Sequence, residues 1–379
     1  MKFLIRYGLL PILFLASFAL SSDAFRFRFG VDLSFVTVVA IVLYYLFGYK
    51  KRLRGGLMYS WWLYLLVVPS IAMTILEGGR LEHTIYSTFI LMLPFALEPY
   101  VPGNDKQTIK GMYLTFIVSV VLLLMYSNMG FLSSWNPNNI AYLLYLGAAA
   151  SVVVLAENRK NVVVWVLLAY VFVQLLVTQS RNVMTSLIII VVAVLLKKGI
   201  SRRLAYRIVY GFFLLYPAIF PKLSIVAGGT EFYKIIKEIT MDVFDKSSVL
   251  SGRDIIFREA ERLLDTSLFN NIFGFGDTIT NVLAAHNDYY LIRYAYGIIG
   301  TLIIAGLFVY FFEKAYVLIK KGDSITYGCV AVVWGVLFQQ ASEGWFIGTP
   351  LVALMSFVYM AIVIKRFRIK EGNRLKGKF

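Results

Sequence analysis

The sequence predicts an all-α, polytopic membrane protein with about twelve transmembrane helices and one large extracytoplasmic loop. The 379-residue chain is 59% hydrophobic and only 15% charged, whereas about a quarter of the residues in a typical soluble domain are charged. Apolar stretches of nearly spanning length follow one another along the chain, and clusters of Lys and Arg separate them. A water-facing fold cannot bury so much apolar surface, whereas a bilayer covers it.

The apolar stretches predict where the chain crosses the bilayer, with interfacial residues completing the shorter crossings. Helices 1–9 are expected within residues 1–220 and helices 10–12 within residues 289–364. The first stretch also has the basic start and small residues of a signal peptide, but the array of spans behind it favours a transmembrane helix. In chain order the predicted spans are Tyr7–Leu20, Leu33–Phe47, Leu57–Leu76, Thr84–Tyr100, Tyr113–Tyr126, Ile140–Leu155, Val162–Thr178, Val183–Leu196, Leu204–Phe220, Tyr289–Phe312, Ile325–Phe338 and Phe346–Ile364.

Basic residues in the loops predict the orientation. If the N-terminus is cytoplasmic, the cytoplasmic loops and the basic tail 365–379 hold most of the 37 Lys and Arg residues, as the positive-inside rule requires. Both termini are therefore predicted to be cytoplasmic. A net charge of +16 would suggest nucleic-acid binding in a soluble protein. Here the charges sit in short clusters between apolar runs, so the expected partner is the lipid bilayer and no nucleic acid is expected.

One large segment, residues 221–288, is predicted to lie on the extracytoplasmic face and to carry the catalytic candidates. Apolar residues recur at helical spacing between Phe232 and Val243, which predicts an amphipathic helix. A second helix is predicted over Ile255–Leu264, after capping candidates Ser251 and Asp254. The glycines in Phe273-Gly274-Phe275-Gly276 predict a turn, although their amides are also weak candidates for holding a phosphate.

Two arginines are candidates for binding an anion. Arg181 lies between two apolar runs with almost no loop, where a guanidinium is costly and usually has a partner. It is interpreted as a clamp for a phosphate or another anionic headgroup, and the alternative is a snorkelling interfacial side chain. Arg253 is predicted at a helix start, where it and the backbone amides can hold a phosphate together. Its alternative is an ordinary loop arginine near Asp254 and Glu261.

His286 is the candidate general base, because a histidine side chain titrates near neutral pH and can accept a proton from a hydroxyl. If one continuous helix runs through this region, Tyr290 and Arg293 fall on the same face as His286. His286 and Arg293 would then be stacked about 10 Å apart along the helix axis. The alternative is an interfacial histidine bonded to water or backbone. Arg293 lies inside a predicted span and should face protein or a water-filled cavity.

Missing motifs exclude several kinds of chemistry. The chain has no Asp-x-Asp pair, no phosphate-binding P-loop and no Cys/His cluster, and its single cysteine, Cys329, cannot form an internal disulfide. No metal site and no cofactor are therefore expected. A metal-dependent sugar-nucleotide transferase and an ATP-driven transporter are both disfavoured.

The ordered motifs resemble those of the bacterial O-antigen polymerase/ligase superfamily, which contains Wzy-like polymerases and WaaL-like ligases. The resemblance covers roughly Asn136 to Phe312. It rests on Asn136-Pro137-Asn138, Thr178-Gln179-Ser180-Arg181, Ser251-Gly252-Arg253, Asn271-Ile272-Phe273-Gly274-Phe275-Gly276, Ala285-His286-Asn287 and Gly297-Ile298-Ile299-Gly300. The chain departs from the family where a Trp often follows the Ser-Gly-Arg element, since Phe257 stands there.

The resemblance implies a GT-C-like fold and a membrane glycosyltransferase of the bacterial cytoplasmic (inner) membrane. The substrate would be an undecaprenyl-diphosphate-linked oligosaccharide, used on the outer face by metal-independent, inverting transfer. Carried over by position, Arg181 and Arg253 would grip the donor diphosphate and His286 would act on the acceptor hydroxyl. Arg293, Asn287 and Tyr290 are predicted to contact the substrate. Partner proteins of polysaccharide assembly, such as a flippase or a chain-length regulator, are also implied.

The exact activity stays open at this point. The favoured reading is a polymerase of a surface polysaccharide of the O-antigen or capsule type. The alternatives are an O-antigen ligase of the same superfamily and a lipid-linked oligosaccharide flippase or transporter. A flippase needs charges through the middle of several spans, and Arg293 is the main charge of that kind. Whether Arg80, Arg293 or Glu343 joins the site is also open, and His83 is expected to be solvated in a loop.

Overall fold

The computed structural model describes residues 68–78, 81, 91, 93–129, 137–177, 180–227, 230–231, 234–235, 238, 241, 253–276, 287–342 and 350–376. Within these residues the protein is all-helical. The predicted spans Tyr7–Leu20 and Leu33–Phe47 lie outside the described residues, as do large parts of Leu57–Leu76 and Thr84–Tyr100. So does most of the amphipathic helix predicted between Phe232 and Val243.

The helices of the described chain account for every predicted span from Tyr113–Tyr126 onward. Helical residues at 68–76 and 93–97 and a 3-10 turn at Glu98–Tyr100 precede them. The helices are α1 Asp105–Met129, α2 Pro137–Glu157, α3 Val162–Val177, α4 Arg181–Leu195, α5 Lys197–Ile200, α6 Arg203–Ala227, α7 Arg253–Leu264, α8 Leu268–Phe273, α9 Asp288–Ile319, α10 Ser324–Gln339 and α11 Pro350–Lys376.

Three of these helices, α1, α6 and α9, are long and apolar enough to cross a membrane, and α2, α3, α4 and α10 contain shorter apolar helices. Helices that are apolar on all sides belong to a bilayer or to the inside of a bundle. The chain is therefore a membrane protein, as the composition predicts.

Helix α10 lies at the centre of the described bundle. It packs against α2, α4, α6, α9 and α11, and all but two of its residues are buried. Gly335 makes the close approach to α2 and α4 possible, because an added Cβ would overlap the Tyr145 hydroxyl and Ile190. The Ser186 hydroxyl donates to the Gly335 carbonyl at 2.8 Å. Small residues and hydroxyl hydrogen bonds of this kind bring transmembrane helices together.

Ion pairs gather at one end of the bundle, here called the charged end and defined by Arg207, Glu313, Asp323 and Arg366. Arg207 binds Glu313 through two hydrogen bonds of 2.8 Å, which join the start of α6 to α9. The buried Arg366 bridges Asp323 at 2.8 Å and Asp105 at 2.6 Å. Burial opposes the charge of the Asp323 carboxylate, but Arg366 and the Thr326 amide outweigh it and hold the pKa of Asp323 below its ordinary value.

The opposite end of the bundle, here called the site end, is defined by Arg181, Arg253, Asn287 and Gln340. Hydrogen bonds join the start of α4 and the start of α9 to the end of α10 there. Neighbouring helices thus alternate in direction between two shared ends, as the loop assignment requires. Which end faces the cytoplasm remains a prediction.

Several helix boundaries differ from the predicted ones, as three helices illustrate. Helix α6 continues to Ala227, seven residues past Phe220, although it contains Pro217 and Pro221. Helix α11 runs through the predicted tail to Lys376. There Arg366 pairs with both Asp323 and Asp105, Arg368 pairs with Glu98, and Lys370 pairs with Asp323. The helix predicted over Ile255–Leu264 is present and begins at Arg253.

Candidate functional site

Arg181 is the first residue of α4 and lies just before the predicted span Val183–Leu196. The next side chain, Asn182, donates to the carbonyl of Gln339 at 3.3 Å. This bond fastens the start of α4 to the end of α10. The Arg181 side chain is half-buried at this junction.

Arg253 is the first residue of α7, and its charge lies within electrostatic range of Arg181. Burial lowers the pKa of the Arg181 guanidinium from its ordinary value, and the positive charge of Arg253 lowers it further. Each arginine stands at a helix start, where backbone N–H groups and the helix dipole favour an anion. The structure thus brings together two cations that the sequence singles out separately; they are called the arginine pair below.

An aromatic cluster sets the position of α7, and therefore of Arg253. Phe257 is fully buried and its ring centroid lies 5.7 Å from that of Tyr290. Ala260 and Leu264 continue the same apolar face one and two turns later. Apolar residues at this spacing form one side of an amphipathic helix, so α7 lies with that side against the first turns of α9.

A polar contact accompanies the aromatic one. The Tyr290 hydroxyl donates to the Glu261 carboxylate at 2.9 Å, and the Lys222 ammonium lies 3.9 Å from the same carboxylate. Tyr290 is buried beneath α7. Its observed role is to hold α7, and the predicted contact with substrate stays a prediction.

Arg293 lies two turns into α9 and faces protein, as expected for a cation within a predicted span. Its guanidinium donates to the Asn271 side chain at 2.9 Å and to the Tyr289 hydroxyl at 3.3 Å. Its Nε atom is buried and has no hydrogen-bond partner among the described residues. Arg293 therefore links α9 to α8 and keeps one donor for a further acceptor.

Asn287 is the N-cap of α9 and its side chain is fully buried. Its carbonyl oxygen accepts from the Tyr290 amide at 3.1 Å, and its amide donates to the carbonyls of Pro217 at 3.0 Å and Ala341 at 2.8 Å. These bonds tie together α6, α9 and the segment after α10. The observed contacts of Asn287 are with backbone, and the predicted contact with substrate is untested.

The stacking of His286 over Arg293 is expected only for one continuous helix through both residues, and the described helix begins after position 286. Helix α9 begins at Asp288, and its cap, Asn287, has extended backbone angles. His286 therefore precedes the helix, so helical spacing does not stack it over Arg293. His286 itself lies outside the described residues, together with Thr178, Gln179, Ser251, Gly252, Arg80, His83, Ala285 and Glu343.

The glycine turn 274–276 docks on a break in α9. Gly297 has φ 65° and ψ −168°, a region that essentially only glycine adopts. The break leaves two carbonyls of α9 without helical partners, and the amides of Phe275 and Gly276 donate to them at 2.7 Å and 3.1 Å. The amides of this turn are therefore used in the fold and do not bind phosphate.

Some polar residues of the site end escape sequence reasoning. The amide group of Gln339 is fully buried, and both its nitrogen and its oxygen lack hydrogen-bond partners among the described residues. Asn271 and Glu261 hold Arg293 and Tyr290. Of these residues, only Gln339 could have been noticed in the sequence, because it is a glutamine at the very end of an apolar helix.

No protein-family model, no curated protein and no solved structure matches the chain. In the part of the chain that the structure describes, no group of three or more His, Cys, Asp or Glu residues is placed to hold a metal ion. The site end thus offers a half-buried pair of arginines at two helix starts, beside buried amides. Such an arrangement is chemically suited to a diphosphate or another polyanion.

Proposed function

We propose that this protein is a membrane glycosyltransferase that polymerises a surface polysaccharide. It transfers an undecaprenyl-diphosphate-linked glycan onto the hydroxyl of a glycan acceptor by metal-independent, inverting chemistry. The observation that carries this proposal is the arginine pair. Two guanidinium groups at helix starts beside a predicted membrane surface suit a lipid diphosphate, whose headgroup is anionic and whose tail stays in the bilayer.

The arginine pair would supply the electrostatic part of catalysis. Two positive charges near one another would attract an anionic diphosphate. As the glycosidic bond breaks, negative charge grows on the diphosphate leaving group, and bidentate hydrogen bonds from arginines stabilise that charge. Removing a comparable donor typically lowers kcat by about 10² to 10³.

His286 would activate the acceptor. The acceptor hydroxyl oxygen forms a bond to the anomeric carbon, while the bond from that carbon to the diphosphate oxygen breaks and its electron pair stays on the diphosphate. The hydroxyl proton passes to the neutral imidazole. General-base catalysis of this kind typically contributes about 10² to 10⁴.

The contacts around the arginine pair suggest positioning roles for the remaining predicted site residues. Tyr290 and Glu261 hold α7, which carries Arg253. Asn287 fixes the start of α9, directly after His286. Arg293 keeps one buried donor beside α8, and this donor would bind the substrate.

The proposal includes location and partners. The protein would be a multi-pass protein of the bacterial cytoplasmic membrane with about twelve spans, both termini in the cytoplasm and the site end outside. Other membrane proteins of polysaccharide assembly would deliver the lipid-linked repeat unit and set the chain length.

The test uses purified protein in lipid with an undecaprenyl-diphosphate oligosaccharide and no nucleotide sugar. Wild type should make longer glycans and release undecaprenyl diphosphate. Arg253→Ala and His286→Ala should each lose at least about a hundredfold in rate. Arg258→Ala is the matched control, because Arg258 lies on the same helix with its side chain exposed and should keep full activity.

The other products of this assay separate the alternatives. Transfer to a different lipid acceptor without elongation would make the protein a ligase. Movement of labelled lipid between leaflets, with neither product, would replace the transferase by a transporter. Equal loss of activity in Arg258→Ala and Arg253→Ala would remove the special role of the arginine pair.

A further inference from the structure

A cavity of about 650 Å³ opens between α9, α11 and the segment before α1. Its walls are mostly apolar, with Leu91, Phe308, Phe311, Phe357 and Met360 among them. The volume falls in the range of about 300 to 1,000 Å³ that is usual for small-molecule sites. No residue of the arginine pair or its surroundings lines this cavity, so it is a separate site.

The cavity runs along α9 toward the charged end. On α9 it is lined from Ile304 to Lys314, a distance of about 15 Å at the helical rise of 1.5 Å per residue. This is about half of a hydrocarbon core of 30 Å. Along α9 the cavity therefore has about the length of one leaflet, and its charged lining residues lie toward the charged end.

Charged side chains line the headgroup end of the cavity, and they differ in their partners. Arg368 is paired with Glu98 at 2.9 Å. The Lys314 ammonium instead lies over two aromatic rings, 5.2 Å from the centroid of Tyr310 and 4.8 Å from that of Phe367. Within the described chain Lys314 has no carboxylate partner. Its positive charge is therefore placed for an anion at the mouth of an apolar cavity.

The apolar walls and the charge of Lys314 indicate what kind of molecule would bind in the cavity. Water does not fill an apolar cavity, because each water needs two to four polar partners, and an empty cavity forfeits dispersion contacts. An acyl chain satisfies the apolar walls, and a phosphate satisfies Lys314. We propose that this cavity is a binding site for an anionic phospholipid of the bilayer, with one acyl chain between α9 and α11 and the phosphate at Lys314. The site lies at the opposite end of the bundle from the arginine pair, so it stands independently of the proposed glycosyl transfer.

The first experiment needs only the wild-type protein. Full-length protein is purified and exposed to equimolar phosphatidylglycerol and phosphatidylcholine with the same acyl chains, and the retained lipids are counted by native mass spectrometry. We expect phosphatidylglycerol to be retained about fivefold more strongly, the effect of one lysine near an anionic headgroup. Equal retention of the two lipids would refute the proposal without any variant.

Variants then locate the lipid. Lys314→Gln should abolish the preference, and Lys314→Arg should keep it. Lys321→Gln is the matched control, because Lys321 lies in the exposed turn at the same end and does not line the cavity. Leu307→Trp should reduce retention of both lipids by filling the space for the chain.

The free headgroup distinguishes a lipid site from a phosphate site. Glycerol phosphate at millimolar concentration should not displace phosphatidylglycerol, because it lacks the chain that fills the cavity. Displacement by glycerol phosphate, or a preference that survives in Lys314→Gln, would overturn the assignment.

Discussion

A proline explains why Asn287 is needed in the middle of the fold. Pro221 has no N–H to donate, so the carbonyl of Pro217, four residues earlier in α6, lacks its helical partner. The Asn287 amide donates to this carbonyl at 3.0 Å and to that of Ala341 at 2.8 Å. The Asn287 side chain thereby donates to one carbonyl inside α6 and to one just after the end of α10. Its oxygen accepts from the Tyr290 amide and caps α9. This junction fixes the start of α9.

Asn287→Ala should therefore destabilise the protein strongly. It leaves two buried carbonyls and one amide without partners, and each buried unsatisfied group costs about 1 to 3 kcal/mol. We expect a loss of about 2 to 4 kcal/mol in unfolding free energy, measured by denaturant unfolding in detergent. Asn161→Ala is the control, since Asn161 caps α3 through a single hydrogen bond of 3.2 Å and should cost about 1 kcal/mol. Equal losses would show that the junction is not held by Asn287.

Residue type alone identifies the cations of the site but not their partners. Arg181 and Arg293 stand out because a charge at the end of, or inside, an apolar stretch is costly without a function or a partner, and Arg253 stands out because it lies at a predicted helix start. Asn271 and Glu261 do not stand out, because polar side chains are ordinary in a loop. Only the packing of α7 and α8 on α9 brings them to Arg293 and Tyr290.

The break in α9 connects a helix to the turn that docks on it. An added Cβ at Gly297 would overlap the Ile272 carbonyl, and one at Gly274 would overlap the Ala295 carbonyl. The two backbones touch without side chains between them. The turn repairs the hydrogen bonds that the break opens, so neither feature is stable without the other.

Gly297→Ala should undock the turn. It places a Cβ at a positive φ angle and against a carbonyl, so we expect a destabilisation of about 2 to 3 kcal/mol, measured as a lower Tm. Gly306→Ala is a control in the same helix, because its added Cβ meets nothing within 4 Å; it should be neutral or stabilising by up to about 1 kcal/mol. A Tm unchanged in Gly297→Ala would contradict the docked turn.

Periodicity predicts helices well here and their ends less well. The span Val162–Thr178 matches α3, and the helix predicted over Ile255–Leu264 matches α7. The end of α6 is missed because the predicted span stops at Phe220, before Pro221, whereas the Asn287 side chain supplies a donor to the Pro217 carbonyl and the helix continues to Ala227. The start of α9, predicted at Tyr289, lies at Asp288, but its end at Ile319 lies seven residues past the predicted Phe312. Such outcomes depend on contacts between distant segments.

The whole described bundle has two chemically different ends. Ion pairs among Arg207, Glu313, Asp323 and Arg366 mark one end, and the arginine pair with buried amides marks the other. Clusters of Lys and Arg near the charged end predict that it faces the cytoplasm. This assignment puts the site end on the outer face, where the proposed substrate is presented.

Cysteine labelling tests the orientation. With Cys329, which is buried, replaced by Ala, single cysteines at Thr266 and Lys321 occupy exposed turns near opposite ends. An impermeant maleimide should label Thr266→Cys in intact cells and Lys321→Cys only after permeabilisation. The reverse pattern would invert the orientation, and labelling of both from one side would contradict the two-ended bundle.

The central place of α10 has a consequence for how the protein is made. Ribosomes release the chain from its N-terminus, so α2, α4, α6 and α9 enter the bilayer before α10 is synthesised. Yet α10 packs against all four of them and fills the space at Gly335 that they leave. Until residue 339 has been inserted, α10 is missing from its place among these earlier helices. Their surfaces that later pack against α10 then contact one another or lipid. A chain that stops before Ser324 would therefore lose the centre of its bundle rather than its edge, and the cell's membrane quality control should degrade it.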